Sequence, residues 1–277
     1  VIAGGGSAGS ALAARLTENP DVTVCLVEAG GEGRDMLIRA PLGVITMLPG
    51  YGKINNWAYH TVPQPGLNGR RGYQPRGRTL GGSSAINAML YPRGHPRDYD
   101  GWAQRGATGW SYADVLPYFQ RMEHWHGKGE SDWRGTQGPL HVQQARQWNP
   151  LFHAFVAAGR EAGYPVTEDY NGHQQEGFGA FDMTVWQGRR WSAANAYLRP
   201  ALKRSSCGLL RGLAARVVIR DGRATGVALA DGRVIAARRG VVLAASSINS
   251  PKLLMLSGIG PAAHLAAHGI EGLADRP

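Results

Sequence analysis

The chain has 277 residues, 43% of them hydrophobic and 18% charged, with a formal charge of +10. This length carries one large or two ordinary domains and excludes a peptide hormone or disulfide mini-protein; the apolar fraction excludes intrinsic disorder. Cys25 and Cys207 are the only cysteines, and without C-x-x-C spacing they read as reduced core thiols, in keeping with a cytoplasmic setting. No run of about eighteen apolar residues marks a membrane span, although attachment at a membrane surface stays compatible with the composition. Both ends look cut. Val1 and Ile2 enter glycines at once, whereas a buried strand has about five or six residues, and Ala274 to Pro277 closes no element, so a piece of a longer protein is expected.

The first 31 residues read as β-α-β: a clipped strand, Gly4 to Gly9, a helix over Ser10 to Asn19, and a β-branched strand from Val22 to Val27. From Arg34 to Asp100 prolines and glycines break the periodicity into turns, the kind of stretch that wraps a ligand. Helices follow over Ser111 to Glu123, where Ser111 caps with Asp114 three residues on, and over Asn149 to Ala162. Between them Gly138 to Val142 is strand-like. Val217 to Ile219 and Thr225 to Leu229 flank Asp221-Gly222 as a hairpin, which Val234 to Ala237 extends. Val241 to Ala245 is a short strand, and Ser250-Pro251 opens a helix that stops near Gly258.

Between Met183 and Ile270 thirteen Lys or Arg stand against Asp221 and Asp231 alone. No nucleic-acid motif accompanies them, so the slice reads as a face for phosphates or for an acidic segment outside this chain. The nine histidines are scattered over loops and polar faces. His124 and His126, two apart on a helix, would point to different sides, so no metal site is expected.

Gly4-x-Gly6-x-x-Gly9 follows a strand and opens a helix, and Glu28 ends the next strand. This is the dinucleotide arrangement. Gly4 permits the tight turn, Gly6 lets a pyrophosphate approach the backbone, and Gly9 lets helix and strand pack closely. The helix N-terminus offers its N–H groups to phosphate, and Glu28 would accept from the ribose hydroxyls. In the segment Gly77-Arg78-Thr79-Leu80-Gly81-Gly82-Ser83-Ser84-Ala85-Ile86-Asn87-Ala88-Met89, the paired glycines would let a flat ring lie on the backbone.

With that segment, its continuation Pro92-Arg93-Gly94, and a second pattern from Ser246 to Gly260, the sequence resembles the glucose-methanol-choline (GMC) family of FAD oxidoreductases, closest to its choline and alcohol dehydrogenase branch. The resemblance covers essentially the whole chain. It implies an α/β fold, with a Rossmann-like FAD-binding domain of mainly parallel sheet and part of an α+β substrate domain. The expected division is FAD-binding over 1–150, a substrate-domain segment over 151–195, and an FAD-binding return over 196–277. By matching position, Gly4, Gly6, Ser7, Gly9 and Glu28 go to the ADP half of FAD, and Arg78, Gly81, Gly82, Asn87, Ala88 and Met89 to the pyrophosphate and flavin region. The implied reaction takes hydride from a small primary alcohol to the flavin. The electron acceptor stays open among oxygen, a quinone and a carrier, and a homo-oligomer stays compatible with the sequence. Some members tether their flavin through a histidine where Ile86 stands here, so FAD is expected to be non-covalent. The family's catalytic His lies in a segment this chain does not reach, so no catalytic residue is assigned. The alternative function is an inert FAD-binding module that needs a complementary half.

Overall fold

Ile2–Ala3 (β1), Ser7–Leu16 (α1) and Val24–Glu28 (β2) form the β-α-β unit in a computed structural model that describes residues 1–49, 51–127, 132–146 and 149–276. The helix starts three residues before the expected Ser10, because Gly6 takes the N-cap position and Ser7, Ala8 and Gly9 wind the first turn. The four-stranded sheet runs in the order Cys207–Arg211, β2, β1, Val242–Leu243, with every neighbouring pair parallel. Parallel strands covered on both faces need apolar side chains throughout, and Ile2, Ala3, Leu26 and Val27 are buried accordingly. Cys25 and Cys207 lie on adjacent strands of this sheet, both free, with thiol pKa values pushed up by burial.

An antiparallel meander, Ala214–Arg220, Arg223–Leu229 and Val234–Ala236, follows the sheet. Its first turn uses positive φ at Asp221 (49°) and Gly222 (72°), the geometry that matches the twist of a tight hairpin. Val227 and Leu229 of the meander share one buried cluster with Ala3, Val27 and Leu253. The last long helix spans Ser246–Leu256 and encloses Pro251, so it begins four residues before the predicted start.

Arginines of the basic slice reach back to the first 33 residues. Arg199 Nη2 donates to the Glu32 and Gly33 carbonyls (2.8 and 3.1 Å), and Arg211 donates to the Gly30 carbonyl (2.6 Å) and pairs with Glu32. Arg204 donates to the Ala14 carbonyl in the last turn of α1 (2.6 Å), where a cation complements the helix dipole. These arginines fasten the return segment to the β-α-β unit, which corrects, for them, the reading of a face for phosphates or an outside acidic segment.

Val1–Asn87 together with Ser192–Pro277 form one compact unit, and Ala88–Trp191 form another. These compact units divide at 87/88 and 191/192, while the expected division by role lies near 150 and 195. The turn-rich stretch after Ala88 has no periodicity to set it apart from the stretch before it.

The Ala88–Trp191 unit contains helices Pro96–Gln104, Tyr112–Met122 and Pro150–Glu161. Ser111 and Asp114 make the expected capping box, and Asn149 caps the third helix by accepting from the Leu151 N–H. His95 is the N-cap of the first of these helices, its Nδ1 accepting from the Arg97 N–H at 3.1 Å. The strand Glu123–Trp125 pairs in parallel with Leu140–Gln144, which pairs antiparallel with Asp182–Met183. At its centre the fully buried Glu123 Oε1 accepts from Arg93 (2.6 Å), from Arg134 Nε (2.9 Å) and from the Gly135 N–H (2.9 Å). Arg134 also pairs with Asp169 and Asp182, at 2.6 and 2.7 Å. Among the described residues no helix is long and apolar enough to cross a membrane.

Removing one partner from a buried charge network leaves the others desolvated and uncompensated, at a cost of about 3–5 kcal/mol. Glu123→Ala is therefore expected to lose about that much in urea denaturation. Glu18→Gln, which breaks the exposed Arg15–Glu18 pair, is expected to change stability by less than about 1 kcal/mol.

Candidate functional site

The three glycines of the first turn are required for different reasons. Gly4 has φ 111°, and a Cβ there would lie 2.4 Å from the Ala244 carbonyl oxygen. A Cβ on Gly9 would lie 1.9 Å from the Gly4 carbonyl oxygen, so that glycine brings α1 against β1. Gly6 is unlike both. Its φ of −75° suits any residue, and the nearest atoms to a Cβ would be Gly82 Cα at 3.8 Å and the Ala244 oxygen at 3.9 Å. Nothing within the chain stands closer than ordinary contact to a Cβ at Gly6, which lines a cavity.

That cavity has a volume of about 970 Å³ and is lined by Gly4, Gly6, Ser7 and Ala8 at the start of α1. No side chain caps α1, and its first turn holds no acidic residue. The first-turn N–H groups and the positive end of the helix dipole are therefore left for an anion in the cavity. Glu28 stands on the same wall, with Oε2 accepting from the Gly5 N–H at 2.8 Å and Oε1 from the Gly30 N–H at 2.7 Å. Burial raises its pKa, against those two hydrogen bonds and the charges of Arg211 and Arg78. Each oxygen keeps a second lone pair for a hydroxyl donor.

The segment from Gly77 crosses this turn. Gly81 N–H donates to the Gly5 carbonyl (2.8 Å) and Leu80 N–H to the Gly31 carbonyl (3.0 Å). Gly81 and Gly82 have φ of 89° and 52°, and a Cβ on Gly82 would lie 2.7 Å from Gly6 Cα. The immediate reason for this glycine pair is the approach of two backbone loops, where the sequence suggests room for a flat ring. Of the segment, Gly77, Gly82, Ser83, Ile86 and Asn87 line the cavity. Gly9 and Gly81 lie behind the wall. Arg78 places its guanidinium over the Trp57 ring at 4.5 Å, and Trp57 lines the cavity in its stead. Ala88 and Met89 belong to the Ala88–Trp191 unit, where Met89 is buried with φ 65° and its carbonyl accepts from the Thr184 N–H at 2.9 Å.

A second helix N-terminus meets the same cavity, through Ala245, Ser246, Ser247 and Asn249. Ser246 has φ 82°, strained for a residue with a Cβ, and its hydroxyl accepts from the Ile248 and Asn249 N–H groups, both at 3.3 Å. Tyr59 donates to Asn249 Oδ1 at 2.9 Å and stacks on Trp57, centroids 5.7 Å apart. Sequence reasoning leaves these residues out of the site. The legible signals for the Ser246 turn are its place in the pattern from Ser246 to Gly260 and its small polar residues between a short strand and a helix. No histidine lines the cavity among the described residues.

The contrast between Gly9 and Gly6 gives an expected outcome. Gly9→Ala should cost at least about 3 kcal/mol, since backbone must move to admit the Cβ. Gly6→Ala should stay within about 1 kcal/mol, a weaker N-cap offsetting the stiffer unfolded chain. Thermal denaturation of the two variants in the absence of ligand checks both.

Residues 1–272 match the GMC oxidoreductase family. The chain is 57% identical to the oxygen-dependent choline dehydrogenases of Rhizobium etli and Sinorhizobium medicae, over 280 and 282 residues, covering 100% of this chain and 50% of each relative. It superposes on the crystal structure of pyridoxine 4-oxidase from Mesorbium loti with a TM-score of 0.92 at 36% identity, covering 100% of this chain and 55% of that one. An FAD-dependent oxidoreductase from Chaetomium thermophilum gives a TM-score of 0.89 at 30% identity, covering 100% and 50%. The chain thus spans about half the length of the curated relatives it matches. With its Rossmann-like parallel sheet and its glycine turn facing a large cavity, the chain belongs to the GMC oxidoreductases, a family of FAD flavoproteins.

Proposed function

We propose that this chain holds the FAD of an enzyme that oxidises a small primary alcohol of the choline class. The observation that carries this reading is the cradle in front of Gly6: a glycine whose added Cβ would meet nothing closer than 3.8 Å, beside a helix N-terminus without a side-chain cap and a buried carboxylate. Gly4, Gly6, Ser7 and Gly9 shape the turn that would take the pyrophosphate, and Glu28 would accept from the ribose hydroxyls. Arg78, Gly81, Gly82 and Asn87 are assigned to the pyrophosphate and flavin region, whereas Ala88 and Met89, expected there, fall in the Ala88–Trp191 unit. The FAD-binding role falls to Val1–Asn87 with Ser192–Pro277, and a substrate-domain role to Ala88–Trp191. The similarity to choline dehydrogenases supports the substrate class.

When bound, FAD supplies the hydride acceptor for oxidation of an alcohol C–H. The chain's own contribution is to anchor and orient. First-turn N–H groups of α1 would hold the phosphates, and Trp57, Tyr59 and Leu256 line the cavity with apolar surface. The alcohol must also lose its hydroxyl proton, and among the described residues no imidazole lines the cavity to take it. The base is therefore assigned to the half of the longer relatives that this chain does not match, so the chain alone should hold FAD without turnover.

Reconstitution with FAD tests the reading. The wild-type chain should retain the cofactor through gel filtration, and anaerobic choline should leave its absorbance unchanged. Gly6→Val should keep the fold and lose most of the FAD, because its methyls fill the cradle. Equal FAD retention in Gly6→Val would overturn the assignment of this turn.

Ile86, buried in a cluster with Ile38, Met47 and Ala85, has no nucleophilic atom for a flavin bond. Acid precipitation of the loaded chain should release all the colour to the supernatant. Colour that stays with the pellet would show a covalent link elsewhere.

A further inference from the structure

Three histidines of the Ala88–Trp191 unit come together where the sequence pattern keeps them apart. The helix expected to run through Glu123 ends at Met122, and the chain continues as the strand Glu123–Trp125. Extended backbone places side chains two residues apart on one face, so His124 and His126 share a side. His141 stands directly across from His124 in the parallel pairing. His126 is fixed by its N–H to the Val142 carbonyl, at 2.9 Å. His126 Nε2 and His141 Nδ1 are 2.7 Å apart, and one nitrogen from each of the three half-buried rings lies within 4.8 Å of the others. The Trp186 ring lies nearly parallel to those of His126 and His141, centroids at 3.8 and 4.6 Å.

We propose that His124, His126 and His141 bind one divalent transition-metal ion of the zinc and copper class. Three imidazoles without a thiolate or carboxylate favour such borderline cations over magnesium or calcium. Glu123, the nearest acid in sequence, is already engaged by Arg93 and Arg134. Metal–nitrogen bonds of about 2.0–2.1 Å in tetrahedral geometry put ligand nitrogens about 3.3 Å apart. The present spacing reaches that by side-chain rotation, since strand pairing fixes the backbone of His124 and His141. The ring that donates in the His126–His141 contact moves its proton to its other nitrogen and offers the freed lone pair to the ion. Three protein ligands leave a fourth position for water. The site lies within the Ala88–Trp191 unit and does not rest on the FAD reading.

The test uses the purified, untagged 277-residue chain, stripped by chelator and dialysed. Titration with Zn²⁺ followed by calorimetry should give one ion per chain with a micromolar or tighter Kd. His124→Ala and His141→Ala, shown folded by circular dichroism, should each weaken binding by more than about tenfold, and His264→Ala should leave it unchanged. Cu²⁺ should quench part of the tryptophan fluorescence, a part that Trp186→Phe removes. The electron paramagnetic resonance spectrum of the Cu²⁺-loaded wild-type chain should show coupling to several nitrogens, a readout that needs no variant to fold. No Zn²⁺ binding, equal affinity in His141→Ala, or a Cu²⁺ spectrum without multiple nitrogen coupling would each overturn the proposal and leave the rings as a packed stack.

Discussion

One residue, Gly5, ties the parts of the cavity together. Gly5 gives its N–H to Glu28 Oε2 (2.8 Å), and its carbonyl accepts from the Gly81 N–H (2.8 Å) and the Ser10 hydroxyl (3.2 Å). The end of β2, the start of α1 and the segment from Gly77 therefore meet on the two sides of a single residue. A Cβ at Gly5 would lie 3.2 Å from Glu28 and Leu26 side-chain atoms, so the position is tight as well as bonded. The carboxylate that faces the cavity also holds this turn, so under the proposed function binding chemistry and local folding are coupled. Glu28 cannot be exchanged for Gln without setting a donor against one of two N–H groups, and a buried unsatisfied group costs about 1–3 kcal/mol.

Charge works the same way in the return segment. The basic slice carries the whole positive excess of the chain, which as composition suggests a surface for an anion. In the fold, Arg199, Arg204 and Arg211 are directed at carbonyl oxygens around α1 and the turn after β2. Loops that close around a cavity leave carbonyls without partners in a helix or sheet, and a guanidinium with five donors can serve two or three at once. Net charge indicates how many such groups exist; only the fold shows whether they face outward.

What was legible in the sequence is what depends on local pattern. The alternation of strand, glycine turn, helix and strand up to Glu28, the hairpin around Asp221-Gly222, and the caps at Ser111 and Asn149 each follow from a few neighbouring residues. The cavity's far wall was not legible, because Trp57, Tyr59 and the turn at Ser246 reach it from distant parts of the chain. A positive φ at a serine has no signature in composition. The boundary at Ala88 was hidden for a related reason: two turn-rich stretches look alike when neither has a period.

The histidines show how much can hang on one element boundary. With helix through His126, residues two apart diverge and no cluster exists; with strand from Glu123, the same letters form one. The glycines show the complementary case, in which the letters are identical and the reasons differ. Positive φ explains Gly4, contact with backbone explains Gly9, and neither explains Gly6. A glycine that the chain itself does not need marks where something other than the chain comes close, because there a side chain would be excluded by a ligand rather than by the fold. By that reasoning the fold accounts for Gly9, and the proposed ligand would account for Gly6, although a motif written G-x-G-x-x-G gives them equal weight.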